Sequence, residues 1–150
     1  MIEKLTLEEL LEICKSADLN VVLEDGYIEL KLDDENSATL MMNDDEDRVS
    51  FCFIPNIEVS TDDPDDLMLV NAINSAFFGD DTLPSLLACI DVYDEDTDEE
   101  AMMLRSAMSL VGGISKDGLL HFINECIDAM DIVFSIIDGG EDEVDGSDED

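Results

Sequence analysis

The apolar residues near the start of the chain recur at helical spacing. They fall at i, i+3, i+4 and i+7, which gives a helix one buried face: Leu7, Leu10, Leu11 and Cys14. Just before this run, Thr6 and Glu9 have the spacing of a capping box, and Leu5 with Leu10 fits the hydrophobic staple that accompanies one. The pattern predicts a helix over about residues 6–17.

Four shorter runs follow, and they predict strands. The first two, residues 21–24 and 27–32, are separated by the pair Asp25-Gly26, which is a strong hairpin signal. The other two cover residues 38–42 and 48–54, and the last is closed by Pro55. Apolar residues alternate with polar ones, as a half-buried strand requires: Ile28, Leu30 and Leu32 in the second run, and Val49, Phe51 and Phe53 in the fourth. Together the runs predict an antiparallel meander with a helix on one side.

A second helix is predicted from Pro64, with Asp63 as its cap and Gly79 ending it in the left-handed conformation. Its predicted inner stripe consists of Leu67, Val70, Ile73, Asn74 and Phe77. Residues 83–93 then predict a strand. Residues 101–110 are ambiguous, because their intrinsic propensity favours helix whereas their position after a strand and an acidic turn favours a hairpin partner.

The last predicted helix begins after Gly112-Gly113 and is capped by Ser115, with Ile114 and Leu119 as a second staple. It extends to about residue 137. Its predicted buried face consists of Leu119, Ile123, Cys126, Ile127, Met130, Phe134 and Ile137.

This order of elements resembles the YbjN-like family of bacterial sensory-transduction regulators. The segment Asn71-Ala72-Ile73-Asn74 resembles an Asn-containing helix of that family, and residues 110–115, leading into Leu119, resemble its Gly-Gly turn. The family's fold is similar to that of class I type III secretion chaperones, which are small acidic dimers that hold partner segments. The resemblance covers residues 6–137. It implies an α+β fold, an antiparallel sheet with helices packed on it in the order α-β-β-β-β-α-β-β-α, with residues 101–110 as a strand. It carries over no catalytic residue.

Composition adds an extreme charge to this picture. The chain of 150 residues has 41 acidic and six basic side chains, for a formal net charge of −35. Residues 138–150 contain eight of the acids, so residues 1–137 still carry −27. We therefore expect a single domain over residues 1–137 and an acidic disordered tail over residues 138–150. Such a surface repels nucleic acid and anionic lipid and favours a basic protein or peptide partner.

The absence of targeting signals bears on the expected cellular location and on the state of the cysteines. The sequence has no apolar run of the length that a membrane helix needs, and its first residues lack the layout of a signal peptide. We therefore expect a cytoplasmic protein that contacts no membrane. Its four cysteines are then expected to be reduced thiols, which as a residue type are usually buried: Cys14, Cys52, Cys89 and Cys126.

No set of residues predicts catalysis, a cofactor or a specific metal. Asp94, Asp96 and Asp98 match the first ligand positions of a calcium loop, but Glu99 replaces its glycine and Arg105 replaces its final glutamate. We expect at most weak association of divalent ions there. With no nucleophile–base pair and no phosphate-binding glycine loop, the sequence predicts a protein that is not an enzyme.

The second helix carries the candidate partner-binding residues Leu69, Asn71, Asn74 and Phe78. The two asparagines lie three residues apart, and structural hydrogen bonding to a loop or strand edge is their favoured role. The predicted function is a non-enzymatic protein-binding module, regulatory or chaperone-like, for a basic partner. Two alternatives are a nucleic-acid mimic that occupies a DNA- or RNA-binding protein, and an acidic protein adapted to high salt. The chaperone resemblance also implies a homodimer.

Overall fold

The computed structural model describes residues 1–79 and 85–149 of the chain. Its helices and strands follow one another in the predicted order α-β-β-β-β-α-β-β-α. The helices are α1 (Leu7–Ser16), α2 (Pro64–Phe78) and α3 (Lys116–Glu149). The strands are β1 (Val21–Leu23), β2 (Ile28–Lys31), β3 (Ser37–Met42), β4 (Arg48–Phe53), β5 (Leu87–Asp94) and β6 (Glu99–Ser109).

The strands form one antiparallel sheet in the order β1-β2-β3-β4-β6-β5. β6 is a central strand, which confirms the strand implied by the family resemblance for residues 101–110. Its buried Met102 and Leu104 point to the same side as Phe53 of β4. Pairing on both sides therefore outweighs the helix propensity of this Ala- and Met-rich segment.

Local signals fix the first elements as predicted. At the start of α1, the Glu9 amide donates to Thr6 Oγ1 over 3.1 Å, and the Thr6 amide donates to Glu9 Oε1 over 3.0 Å. In the first hairpin, the Glu24 amide donates to the Tyr27 carbonyl over 2.8 Å, and Gly26 has a φ of 86°. That conformation is one that glycine adopts without steric cost, which is why the Asp-Gly pair signals the turn.

Backbone contacts also join the first residues of the chain to the turn before α3. Ile2 and Ile114 form an isolated antiparallel bridge, with amide-to-carbonyl distances of 2.7 and 2.9 Å. Gly113, which has a φ of 88°, lies so close to Met1 that an added Cβ would come within 3.0 Å of the Met1 Cβ. Immediately afterwards, Ser115 Oγ accepts a hydrogen bond from the Gly118 amide over 3.0 Å, which confirms the predicted cap of α3.

The core lies between one face of the sheet and the helices. Its largest fully buried side chains come from every layer: Leu10 of α1, Ile28, Leu30, Leu40, Phe51, Phe53, Met102 and Leu104 of the sheet, Ile73 of α2, and Leu119 and Ile123 of α3. Two thiols are buried there as well. Burial raises the pKa of Cys14 to about 11 and that of Cys126 to about 12. These two cysteines are therefore small apolar core residues, as predicted.

Two predictions about α2 are wrong. Its buried residues are Ile73 and Phe77, whereas Leu67 is 45% exposed and does not belong to the inner stripe. The helix is apolar nearly all round, so its periodicity does not fix the direction of its buried face. Gly79 also has a φ of −85°, so it ends the helix in a right-handed and not a left-handed conformation.

The remaining boundaries differ in part from the predictions. β5 begins at Leu87, and residues 80–84, which include the first predicted strand residues, lie outside the described part of the chain. The backbone of α3 continues to Glu149, past the predicted end near residue 137. The mobility of residues 138–150 stays a prediction. In the described part of the chain, no helix is long and apolar enough to span a membrane.

Candidate protein-binding surface

Three of the four candidate residues share one side of α2. Asn71, Asn74 and Phe78 follow Leu67 at intervals of four, three and four residues, so all four lie along one stripe of the helix. We call this stripe the α2 ridge. The fourth candidate, Leu69, points elsewhere, because it is half-buried and packs against the hydrophobic core.

Asn74 holds the ridge against the sheet. The Ala88 amide donates to Asn74 Oδ1 over 2.6 Å, and Asn74 Nδ2 donates to the Ala88 carbonyl over 2.9 Å. The side-chain amide thus pairs with β5 as one residue of a neighbouring strand would. Because β5 is an edge strand, this pairing satisfies backbone groups that would otherwise have no strand beside them. Asn74 accordingly has the structural role that the sequence favoured.

On either side of Asn74 the ridge is open to solvent. Phe78 is 94% exposed at the end of α2, Leu67 is 45% exposed, and Asn71 is exposed as well. Met68 is 67% exposed beside Leu67, and the sequence analysis did not single it out. A signal was present, since residues 67–70 form four consecutive apolar positions that one helix cannot bury on a single face.

Acidic side chains surround the start of this helix. Asp63 Oδ1 accepts from the Asp65 amide over 2.9 Å, and Asp66 Oδ2 accepts from the Ser60 amide over 2.9 Å. The carboxylates thereby complement the positive end of the helix dipole. Between Arg48 and Arg105 the sequence contains no lysine or arginine. The ridge therefore carries exposed apolar side chains in a stretch of chain whose charges are all negative.

Metal-ligating side chains do not cluster in the described residues. No group of three or more metal-ligating side chains occurs among them. Residues 95–98 form the turn between β5 and β6, where Asp98 has a φ of 57°. His121 is a surface residue whose Nε2 lies 3.0 Å from Glu125 Oε1 one helical turn away. The weak ion association expected of the aspartates at 94–98 stays a prediction.

Comparisons with known proteins bear on the fold. No protein-family model matches the sequence, and no curated protein matches it. Among solved structures, YbjN from E. coli, a proposed transcription regulator, is similar with a TM-score of 0.67, 15% identity, and coverage of 93% of this chain and 94% of that chain. A chain from the HopA1–SchA chaperone–effector complex has a TM-score of 0.48, 14% identity, and coverage of 83% and 86%. The chain therefore has the YbjN-like α+β fold that its sequence predicts.

Proposed function

We propose that this protein is a non-enzymatic, regulatory or chaperone-like binding module that recognises a basic protein partner through the α2 ridge. One observation carries the proposal: an almost fully exposed phenylalanine, Phe78, shares a stripe with exposed Leu67 in a chain segment without positive charge. Exposed apolar patches with polar surroundings commonly mark protein-binding sites. The similar fold of a proposed transcription regulator supports the regulatory part of the proposal.

The chemistry of the ridge favours an amphipathic basic segment. The apolar side of such a segment would cover Phe78, Leu67 and Met68, and its basic side would face the carboxylates at the start of α2. The net charge of −35 would accelerate the encounter by electrostatic steering. Contact with the ridge would then determine how long the complex lasts, because buried apolar contacts are not screened by salt.

Titration with two peptides tests this proposal. The first is a short Lys/Leu peptide designed as an amphipathic helix, and the second has the same composition in a scrambled order. We expect the amphipathic peptide to bind more tightly, by fluorescence anisotropy, and its association rate to fall as salt rises while its dissociation rate changes little.

Two matched variants separate the ridge from the overall charge. Phe78→Ser should weaken binding of the amphipathic peptide by about tenfold, or about 1.4 kcal/mol. Val111→Ser is the control, because Val111 is 74% exposed in the turn before α3 and lies outside the ridge. Equal binding of the two peptides, or equal effects of the two substitutions, would mean that the charge acts alone and that the ridge is not a recognition surface.

A further inference from the structure

The sheet has a second face, which points away from the core shared with the helices in the described part of the chain. Successive residues of each strand point alternately to the core and to the opposite side of the sheet. The hydrophobic core includes the core-facing strand residues together with buried residues of α1, α2 and α3. The outward residues of the six strands, which we call the open face, are outside that core. Several are exposed and apolar, including Val22, Met41 and Leu87, which are 41%, 44% and 62% exposed. The α2 ridge is a separate surface, since its Asn74 pairs with the backbone of the edge strand β5.

The charge of this face differs sharply from that of the whole molecule. Its outward strand positions whose side chains the structure describes include three carboxylates and three basic side chains: Glu29, Asp91, Glu99, Lys31, Arg48 and Arg105. It therefore holds half of all six basic residues of a chain with 41 acids. A basic partner would be drawn to other surfaces, whereas a second acidic molecule could approach here with the least repulsion.

The strand register lines up one row of outward residues across the entire sheet. In strand order β1-β2-β3-β4-β6-β5, the row consists of Val22, Glu29, Thr39, Cys52, Arg105 and Leu87. Each half of the row begins with an apolar residue at the edge, continues with a charged residue and ends with a small one, Thr39 or Cys52. The two charges have opposite signs. The row is thus complementary to its own reversed copy.

From this symmetry we infer that two copies of the chain pack open face to open face about a two-fold axis parallel to the strands. Such an axis reverses the strand order in the second copy, as an isologous interface requires. Glu29 of each copy then faces Arg105 of the other, and Val22 faces Leu87 at both ends. Thr39 faces Cys52 at the centre. Aligned packing of two sheets about 10 Å apart is a common arrangement.

Arg105 is available for this pairing. Its Nη2 lies 3.0 Å from the Met103 sulfur, and the side chain is exposed. In the described part of the chain, His121 and Glu125 form a salt bridge, and neither Glu29 nor Arg105 forms one. Among those residues, both side chains therefore lack an ion-pair partner within a single copy. Joining them between two copies would compensate both charges twice.

The size of the face predicts a weak dimer. Six strands spaced by about 4.8 Å, with about five residues of 3.4 Å each, give a face of about 30 by 17 Å, or about 500 Å² in projection. A typical stable interface buries about 800 Å² per partner, so this face is at the small end of the range. Repulsion between two chains of −35 weakens it further. Salt screens that repulsion over about 8 Å at physiological strength, so dimerisation should strengthen as salt rises.

A charge swap distinguishes this interface from general repulsion. Glu29→Arg makes the chain less negative by two charges, so repulsion alone predicts a tighter dimer, whereas loss of the Glu29–Arg105 pairs predicts a weaker one. We expect sedimentation equilibrium in moderate salt to show dimerisation of the unmodified protein. The Glu29→Arg and Arg105→Glu variants should each dimerise about tenfold more weakly, and the double variant, whose net charge is unchanged, should recover to within about threefold. Glu12→Arg, an exposed position on α1, is the matched charge control and should dimerise at least as well as the unmodified protein.

A second measurement requires no substitution. Cys52 and Cys89 lie on the open face, whereas Cys14 and Cys126 lie in the core. The rate at which a thiol reagent labels the first two should therefore fall as protein concentration rises. A protein that remains monomeric at all salt concentrations up to hundreds of micromolar would overturn the inference. So would a Glu29→Arg variant that dimerises as well as Glu12→Arg, or a double variant no better than the singles.

Discussion

Replacing Asn74 by alanine tests the attachment of α2 to the sheet. The substitution removes both hydrogen bonds to Ala88, of 2.6 and 2.9 Å, and leaves the Ala88 amide and carbonyl on the edge strand without that partner. Each lost hydrogen bond costs about 0.5–1.5 kcal/mol net, so Asn74→Ala should lower the free energy of unfolding by about 1–3 kcal/mol. For a domain of ordinary stability, about 5–15 kcal/mol, that is a large share.

Urea unfolding followed by circular dichroism measures this loss, and Asn71→Ala is the matched control. Asn71 lies on the same side of the same helix but is exposed, so its replacement should change the free energy of unfolding by less than about 0.5 kcal/mol. Asn74→Asp should cost at least as much as Asn74→Ala, because a carboxylate oxygen would replace the amide nitrogen that faces the Ala88 carbonyl.

Hydrogen exchange locates the effect. In the Asn74→Ala variant the Ala88 amide should exchange faster under native conditions, while amides of the first hairpin should change only with the global stability. Equal stability of the Asn74→Ala and Asn71→Ala variants, or unchanged exchange at Ala88, would refute the reasoning and leave the apolar contacts of α2 as its attachment.

Three further outcomes are expected. Gly113→Ala should lower the free energy of unfolding by more than the roughly 1–2 kcal/mol that a left-handed alanine costs. The excess is expected because the new Cβ would lie 3.0 Å from the Met1 Cβ and push Met1 away; thermal melting measures the loss. The thiols of Cys14 and Cys126 should resist alkylation in the native protein at mildly alkaline pH, since burial raises their pKa to about 11 and about 12, and mass spectrometry with and without urea checks this. Deletion of residues 138–150 should leave the melting temperature unchanged or slightly raised, because it removes eight acids and one apolar side chain; a drop of many degrees would show that this segment packs on the domain.

The sequence predicted those parts of the fold that short-range chemistry determines. The capping box of Thr6 and Glu9 and the Asp25-Gly26 turn are complete within a few residues, so the pattern alone located α1 and the first hairpin. Residues 101–110 were different, because their conformation depends on β4 and β5 as pairing partners. Their position after a strand and a turn left both helix and strand open, and the family resemblance favoured the strand.

The candidate surfaces were predicted less well, for the same reason. The apolar run at residues 67–70 shows that some of its members must be exposed, but which ones depends on the burial of Ile73 and Phe77 and on the contact of Asn74 with Ala88. The row of residues across the open face depends on the register of all six strands. Its Glu29 and Arg105 are far apart in sequence, and no periodicity relates them.

The insertion of β6 between β4 and β5 has a consequence for the way the chain folds. β1 to β4 pair in sequence order, and β5 pairs with β6 through a tight turn, so both groups form by closing short loops. The seam between them joins Phe53 to Leu104 and Arg48 to Ser109, residues more than 50 positions apart. Closing that long loop costs entropy before any seam contact compensates for it, so the seam forms late. The chain thus has two locally paired groups of strands, β1–β4 and β5–β6. A cut in the loop after β4 should leave two fragments that can still associate, through the β4–β6 pair and through the bridge between Ile2 and Ile114.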